Sequence, residues 1–212
     1  MRKEIPIIMA VILAFLLFFL NFRLVLFNEG FYKKEFEKFD IYEEIPDADQ
    51  INSDVLSYFR SSDNLIKNDF FNENEKMHLF DVRLVIRNVL FLFYSLLAIF
   101  LVLVVLMRRI FSFKDFSFIF FFGGAFTFVI SFFLWLIAKL NFSGFFTFFH
   151  KIFFPQGNWL FDPAVDKIIL LYPSGFFYDM AVKIFLDSLY WALVLILIGV
   201  LIFVLRKKGR LV

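Results

Sequence analysis

The chain has 212 residues, is 61% hydrophobic and contains 38 phenylalanines, an apolar load beyond what the core of a soluble domain of this length holds, so it reads as an integral membrane protein. Its net charge of +2 averages segments of opposite sign and gives no sign of a nucleic-acid partner. No cysteine is present, which excludes a disulfide framework, a thiolate nucleophile, an acyl-thioester intermediate and Cys-ligated metal, and leaves any chemistry to His, carboxylates, hydroxyls or backbone groups.

Four stretches reach the roughly 20 apolar residues that cross a hydrocarbon core, predicting helices at about 5–27, 85–107, 116–138 and 188–205. The first opens on Arg2-Lys3 like a signal peptide but ends in Asn21-Phe22-Arg23-Leu24-Val25-Leu26-Phe27 without a small-x-small cleavage site, which predicts an uncleaved anchor. Arg23 near its end is expected to snorkel to headgroup level. The segment 28–84 comes next as a cap in which aromatics and charges alternate irregularly; through Val85 it carries 14 Asp/Glu against 7 Lys/Arg.

Asn72 and Glu75 have the spacing of a capping box, so the second helix is expected to begin well outside the bilayer. At about 100° per residue, Glu75 and Asp81 flank His78 at about 60° on either side, where either carboxylate can fix its tautomer and raise its basicity. Arg83 lies on a different face. Arg108, Arg109 and Lys114 separate the second and third helices, and Gly123-Gly124 within the third suggests close helix packing.

The second outer segment, 139–187, holds Phe142-Ser143-Gly144-Phe145-Phe146-Thr147-Phe148-Phe149-His150-Lys151-Ile152-Phe153-Phe154, too short to span and too apolar for a wet loop, and is expected to form an interfacial or re-entrant element. Pro155, Gly157, Pro163, Pro173 and Gly175 punctuate the remainder of this segment, placing Asn158, Trp159 and Asp162 on turns. After the last helix come Arg206, Lys207, Lys208 and Arg210. With Arg2 and Lys3, these charges put both termini in the cytoplasm by the positive-inside rule. The expected fold class is therefore an all-α membrane protein of four transmembrane helices, treated as one membrane domain over 1–212, with both outer segments extracytoplasmic. The only two histidines, His78 and His150, then share one side, which makes convergence on one site the favoured reading.

The strings Glu75-Lys76-Met77-His78-Leu79-Phe80-Asp81-Val82-Arg83 and Phe149-His150-Lys151-Ile152-Phe153-Phe154, Asn158-Trp159 ahead of Asp162-Pro163, and Pro173-Ser174-Gly175-Phe176-Phe177 together resemble the lipoprotein intramolecular transacylase family of bacterial membrane proteins, over nearly the whole chain. The resemblance implies transfer of the sn-2 acyl chain of a diacylglyceryl-cysteine lipoprotein to that cysteine's α-amino group, giving a lyso-form lipoprotein, with no cofactor and no metal. It matches His78 and His150 to the family's two essential histidines. Asp81, Arg83, Asn158, Trp159 and Asp162 match surrounding motif positions; with Glu75, they are expected to orient the histidines or bind substrate.

The inventory suits that chemistry. A free α-amino group, with a pKa of about 7.7 to 8, needs a base at neutral pH, and the departing glycerol oxygen needs a proton; imidazole performs either task. Amine and ester in one substrate need no acyl-enzyme, and no phosphate loop is present. Membrane lipids and a diacylated lipoprotein are the expected partners. Two other classes compete: a non-catalytic lipid-binding or scaffold protein, and a bis-histidine haem carrier. A zinc site lacks a His-Glu-x-x-His pattern.

Overall fold

The computed structural model describes residues 4–209; Arg2, Lys3 and Arg210, three of the charges on which the expected orientation rests, lie outside them. In chain order the helices are α1 (Ile5–Leu26), α2 (Glu29–Lys38), α3 (Ile41–Glu44), α4 (Ala48–Arg60), α5 (Glu73–Met107), α6 (Phe113–Leu140), α7 (Phe142–Phe153), α8 (Ile168–Leu171) and α9 (Ser174–Lys207). Among the described residues four, α1, α5, α6 and α9, are long and apolar enough to cross a membrane. All four expected spans are present, and α9 starts 14 residues earlier than hydropathy placed it. With 35 residues, α5 is about 52 Å long against a hydrocarbon thickness of about 30 Å. Its charge-free stretch begins after Arg87 and is 20 residues long, so the turns carrying Glu75, His78, Asp81 and Arg83 precede the spanning segment.

The chain forms two compact units, each discontinuous in sequence. One comprises residues 4–23, 90–136 and 182–209. Here α1 and α5 pack through Ile12, Leu16 and Phe93, with Phe19, Leu96, Leu97 and Phe100 around them. Small residues let α6 approach its neighbours: a Cβ on Gly123 would lie 3.1 Å from the Ala10 carbonyl oxygen, and one on Gly124 would lie 2.7 Å from that of Ala192. Polar side chains join helices at such contacts. Asn21 Nδ2 donates to Ser188 Oγ at 3.2 Å, and Ser117 Oγ donates to the Gly199 carbonyl at 2.8 Å.

The other unit comprises residues 24–89 and 137–181. The segment 28–84 forms α2, α3 and α4 before α5, amphipathic helices whose apolar sides are buried: Phe31, Tyr32 and Phe36 from α2, and Ile51, Val55, Leu56 and Phe59 from α4. Tyr32, Phe36, Tyr172 and Phe176 form one aromatic cluster. Its hydroxyls are satisfied, Tyr32 donating to the Leu26 carbonyl and Tyr172 to Asn52 Oδ1, each at 2.9 Å. A Cβ on Gly175 would come within 2.6 Å of the Phe39 ring, so only glycine admits that contact with the start of α9.

Candidate active site

The predicted capping box at the start of α5 is present. Asn72 Oδ1 accepts from the Glu75 amide at 3.0 Å, and Glu75 Oε2 accepts from the Asn72 amide at 2.6 Å. These bonds settle the orphan amides of the first turn and set the rotation of α5 one turn ahead of His78. The other Glu75 oxygen reaches across the fold to the Ile168 amide at 2.6 Å. With 1% of its surface exposed, Glu75 is committed to two backbone N–H groups and makes no hydrogen bond to His78.

His150 stands in the last turn of α7, whose start is capped by Asn141 accepting from the Gly144 amide. Its Nδ1 lies 2.8 Å from the Phe146 carbonyl oxygen. Because a carbonyl only accepts, Nδ1 carries the hydrogen and the neutral ring keeps its lone pair on Nε2. α7 and the turns 154–167 bring His150 to His78: the ring centroids are 6.2 Å apart and the planes differ by 19°. Phe154 touches both rings, at 5.0 and 5.4 Å. Phe161 meets His78 edge-on at 5.3 Å, and Trp159 covers His150 at 4.8 Å. The imidazoles, 7% and 8% exposed, therefore lie in an aromatic enclosure.

Burial disfavours the imidazolium in both. His78 is pushed down to about 4, by burial first and by His150 second, against smaller upward pulls from Asn158 and Asp81. His150 is also lowered, by burial, against the Phe146 carbonyl. Both rings are neutral at pH 7.

The remaining candidates divide. Asp81 makes no hydrogen bond to His78; its Oδ2 accepts from Gln156 Nε2 at 2.6 Å and Asn158 Nδ2 at 2.5 Å. Trp159 packs on His150. Arg83, 2% exposed, points elsewhere: it lies under the Tyr58 ring at 4.7 Å and donates to the carbonyls of Asp63 and Ser61, tying α5 to the segment after α4. Asp162 shapes a turn, its carboxylate accepting from the Ala164 amide and its own amide donating to Asp166 Oδ2. Asp166 also accepts from Asn72 Nδ2 at 2.7 Å, so the loop is fastened to α5 at both Asp166 and Ile168. Sequence reasoning missed Phe154, Phe161, Gln156 and Asp166 as members of this site. Only Phe154 carried a local signal, standing four residues after His150. Among the described residues no group of three or more His, Asp or Glu side chains is placed to hold a metal ion.

The model of the lipoprotein intramolecular transacylase Lit family matches residues 7–177. The fold is that of the solved lipoprotein intramolecular transacylase Lit from Bacillus cereus, with a TM-score of 0.87 and 21% identity over 97% of each chain. Structures of that protein with a histidine-to-arginine and a histidine-to-alanine substitution give TM-scores of 0.81 and 0.77 at 20% and 22% identity, covering 98% of this chain and 94% of theirs. No curated protein sequence matches the chain. The family match across most of the chain, together with the shared fold, shows that this multi-pass membrane protein belongs to the lipoprotein intramolecular transacylases.

Proposed function

We propose that the protein moves the sn-2 acyl chain of a diacylglyceryl-cysteine lipoprotein to the cysteine's α-amino group, with His78 and His150 transferring the proton. The observation that carries this reading is the pair itself: two neutral imidazoles 6.2 Å apart in an aromatic enclosure. The amine nitrogen attacks the sn-2 ester carbonyl; an N–C bond forms and the C–O bond to glycerol breaks. His150 Nε2, left as a lone pair by the Phe146 bond, takes the proton that the nitrogen sheds. The pair returns that proton to the glycerol oxygen, so the transfer consumes no nucleotide and leaves no acyl-enzyme.

In this reading both termini are cytoplasmic and the histidines work on the extracytoplasmic side, with α2, α3 and α4 as a cap. α7 lies in the membrane interface with Phe148, Phe149, Ile152 and Phe153, all exposed, turned to lipid. Asp81 and Asn158 orient the pair, and Trp159 packs over His150 beside the substrate's path. Glu75, Arg83 and Asp162 hold the surrounding backbone.

The test is expression of wild type, His78→Ala and His150→Ala in a host whose lipoproteins are diacylated with a free N-terminus, with mass spectrometry of the N-terminal peptides. Wild type is expected to convert them to a form with one acyl chain on glycerol and one on the amine, and both folded variants to leave them unchanged. Unchanged peptides with folded wild type, or conversion by either variant, would overturn the reading.

A further inference from the structure

We infer that Asn158 is a positioning residue that fixes the tautomer of His78, and that Asp81 acts on the histidine only through it. The inference rests on the His pair as the site of proton transfer. Asp81 Oδ2 accepts from two amides, Asn158 at 2.5 Å and Gln156 at 2.6 Å. A carboxylate cannot donate, so Asn158 must turn its NH2 toward Asp81, which sets the direction of its carbonyl oxygen. That oxygen is buried and has no hydrogen-bond partner, and His78 Nδ1 is likewise buried and without one.

Buried orphans of this kind are costly. These two are complementary in one tautomer only. Asn158 Oδ1 is a pure acceptor; His78 Nδ1 can meet it as N–H, whereas a lone pair there would meet another lone pair. Asn158 already pulls upward on the proton affinity of His78 although no bond of ordinary geometry joins them. When the site tightens on binding substrate, the two side chains turn to meet. Both histidines then hold hydrogen on Nδ1, His78 toward Asn158 and His150 toward Phe146, and both offer Nε2 lone pairs to the substrate. An aspartate at 158 would set a second carboxylate against Asp81 and favour charged His78, which has no lone pair to offer. The amide supplies an acceptor without the charge.

Ring-15N NMR of the full chain in bilayers reads this directly, since two histidines give two ring systems, assigned by His78→Ala. Wild type is expected to show protonated Nδ1 and bare Nε2 in both rings. Asn158→Leu should move His78 toward the Nε2–H form, leave His150 unchanged, and lower kcat roughly 10- to 100-fold with little change in KM, as for other partners that fix an imidazole's tautomer. Wild-type His78 protonated on Nε2, or an unaltered His78 in Asn158→Leu, would overturn the inference. If Asn158→Leu also loses the His150 signature, the near-isosteric Asn158→Asp decides: it must charge His78 near neutral pH with His150 still neutral. Lipoprotein conversion by His78→Ala would sink the functional reading itself, whatever the spectra show.

Discussion

Glu75 separates two roles that adjacency in sequence confounds. Its carboxylate stands one turn from His78 yet takes the amide hydrogens of Asn72 and Ile168, so removing it leaves buried N–H groups without acceptors. Glu75→Ala is expected to cost about 3–6 kcal/mol, two lost charge-assisted bonds, and Glu75→Gln about half of that because one oxygen survives. Thermal unfolding in detergent checks the order; a Glu75→Ala protein as stable as wild type but inactive would assign the residue to chemistry instead. The histidines make a second residue-scale prediction. Burial depresses both, His78 to about 4, so their C2 proton resonances should titrate below the ordinary imidazole value of about 6.5. On acidification the unfolded chain binds these protons first, so their contribution to stability is lost as pH falls through 6.5 toward 4. Resonances that shift at pH 6.5 or above would show solvated rings.

Among elements, α6 is fixed by what its glycines omit. A Cβ at Gly124 meets a backbone carbonyl of α9 at 2.7 Å, whereas one at Gly123 meets that of α1 at 3.1 Å. In an exposed helix Gly→Ala gains up to about 1 kcal/mol; here Gly124→Ala is expected to destabilise by roughly 1–3 kcal/mol as helices are pushed apart, and Gly123→Ala by less. A raised thermal midpoint for Gly124→Ala would contradict the close approach. The start of α5 was legible because a capping box is a local four-residue signal. The start of α9 was not: Tyr178, Asp179, Lys183 and Asp187 dilute its first turns, and hydropathy finds the part of a helix that suits lipid, not the part that is helical. In the first outer segment of the sequence, Ile51, Val55, Leu56 and Phe59 of α4 keep helical spacing, a pattern available in the sequence but overshadowed by the acidic charge around it.

For the molecule as a whole, composition carried the membrane class, and both the charge pattern and the family resemblance pointed to a His pair. The links that complete the site join residues 75, 77 and 93 positions apart, Asp81 to Gln156, Asp81 to Asn158 and Glu75 to Ile168. No periodicity records such pairings, because any buried amide satisfies a carboxylate equally well on paper. The two units, interleaved in sequence, likewise left no linker to find. Overall stability should also respond to Glu35, pushed up to about 7 by burial and by Asp179, against Lys38. A carboxyl raised in the folded state contributes stability below its ordinary value of about 4.5 that is lost as pH rises toward 7. Glu35→Gln is therefore expected to raise the thermal midpoint at pH 8 relative to wild type and change it little at pH 4.5; equal effects at both would refute the assignment. In α7, His150 anchors its ring to the carbonyl of Phe146, the acceptor that an α-helix also gives to the amide of residue 150. Ring and secondary structure are interlocked at that one oxygen: unwinding a single turn of α7 frees the ring to exchange its proton between nitrogens, so that in the proposed mechanism the Nε2 lone pair is no longer held ready for the substrate.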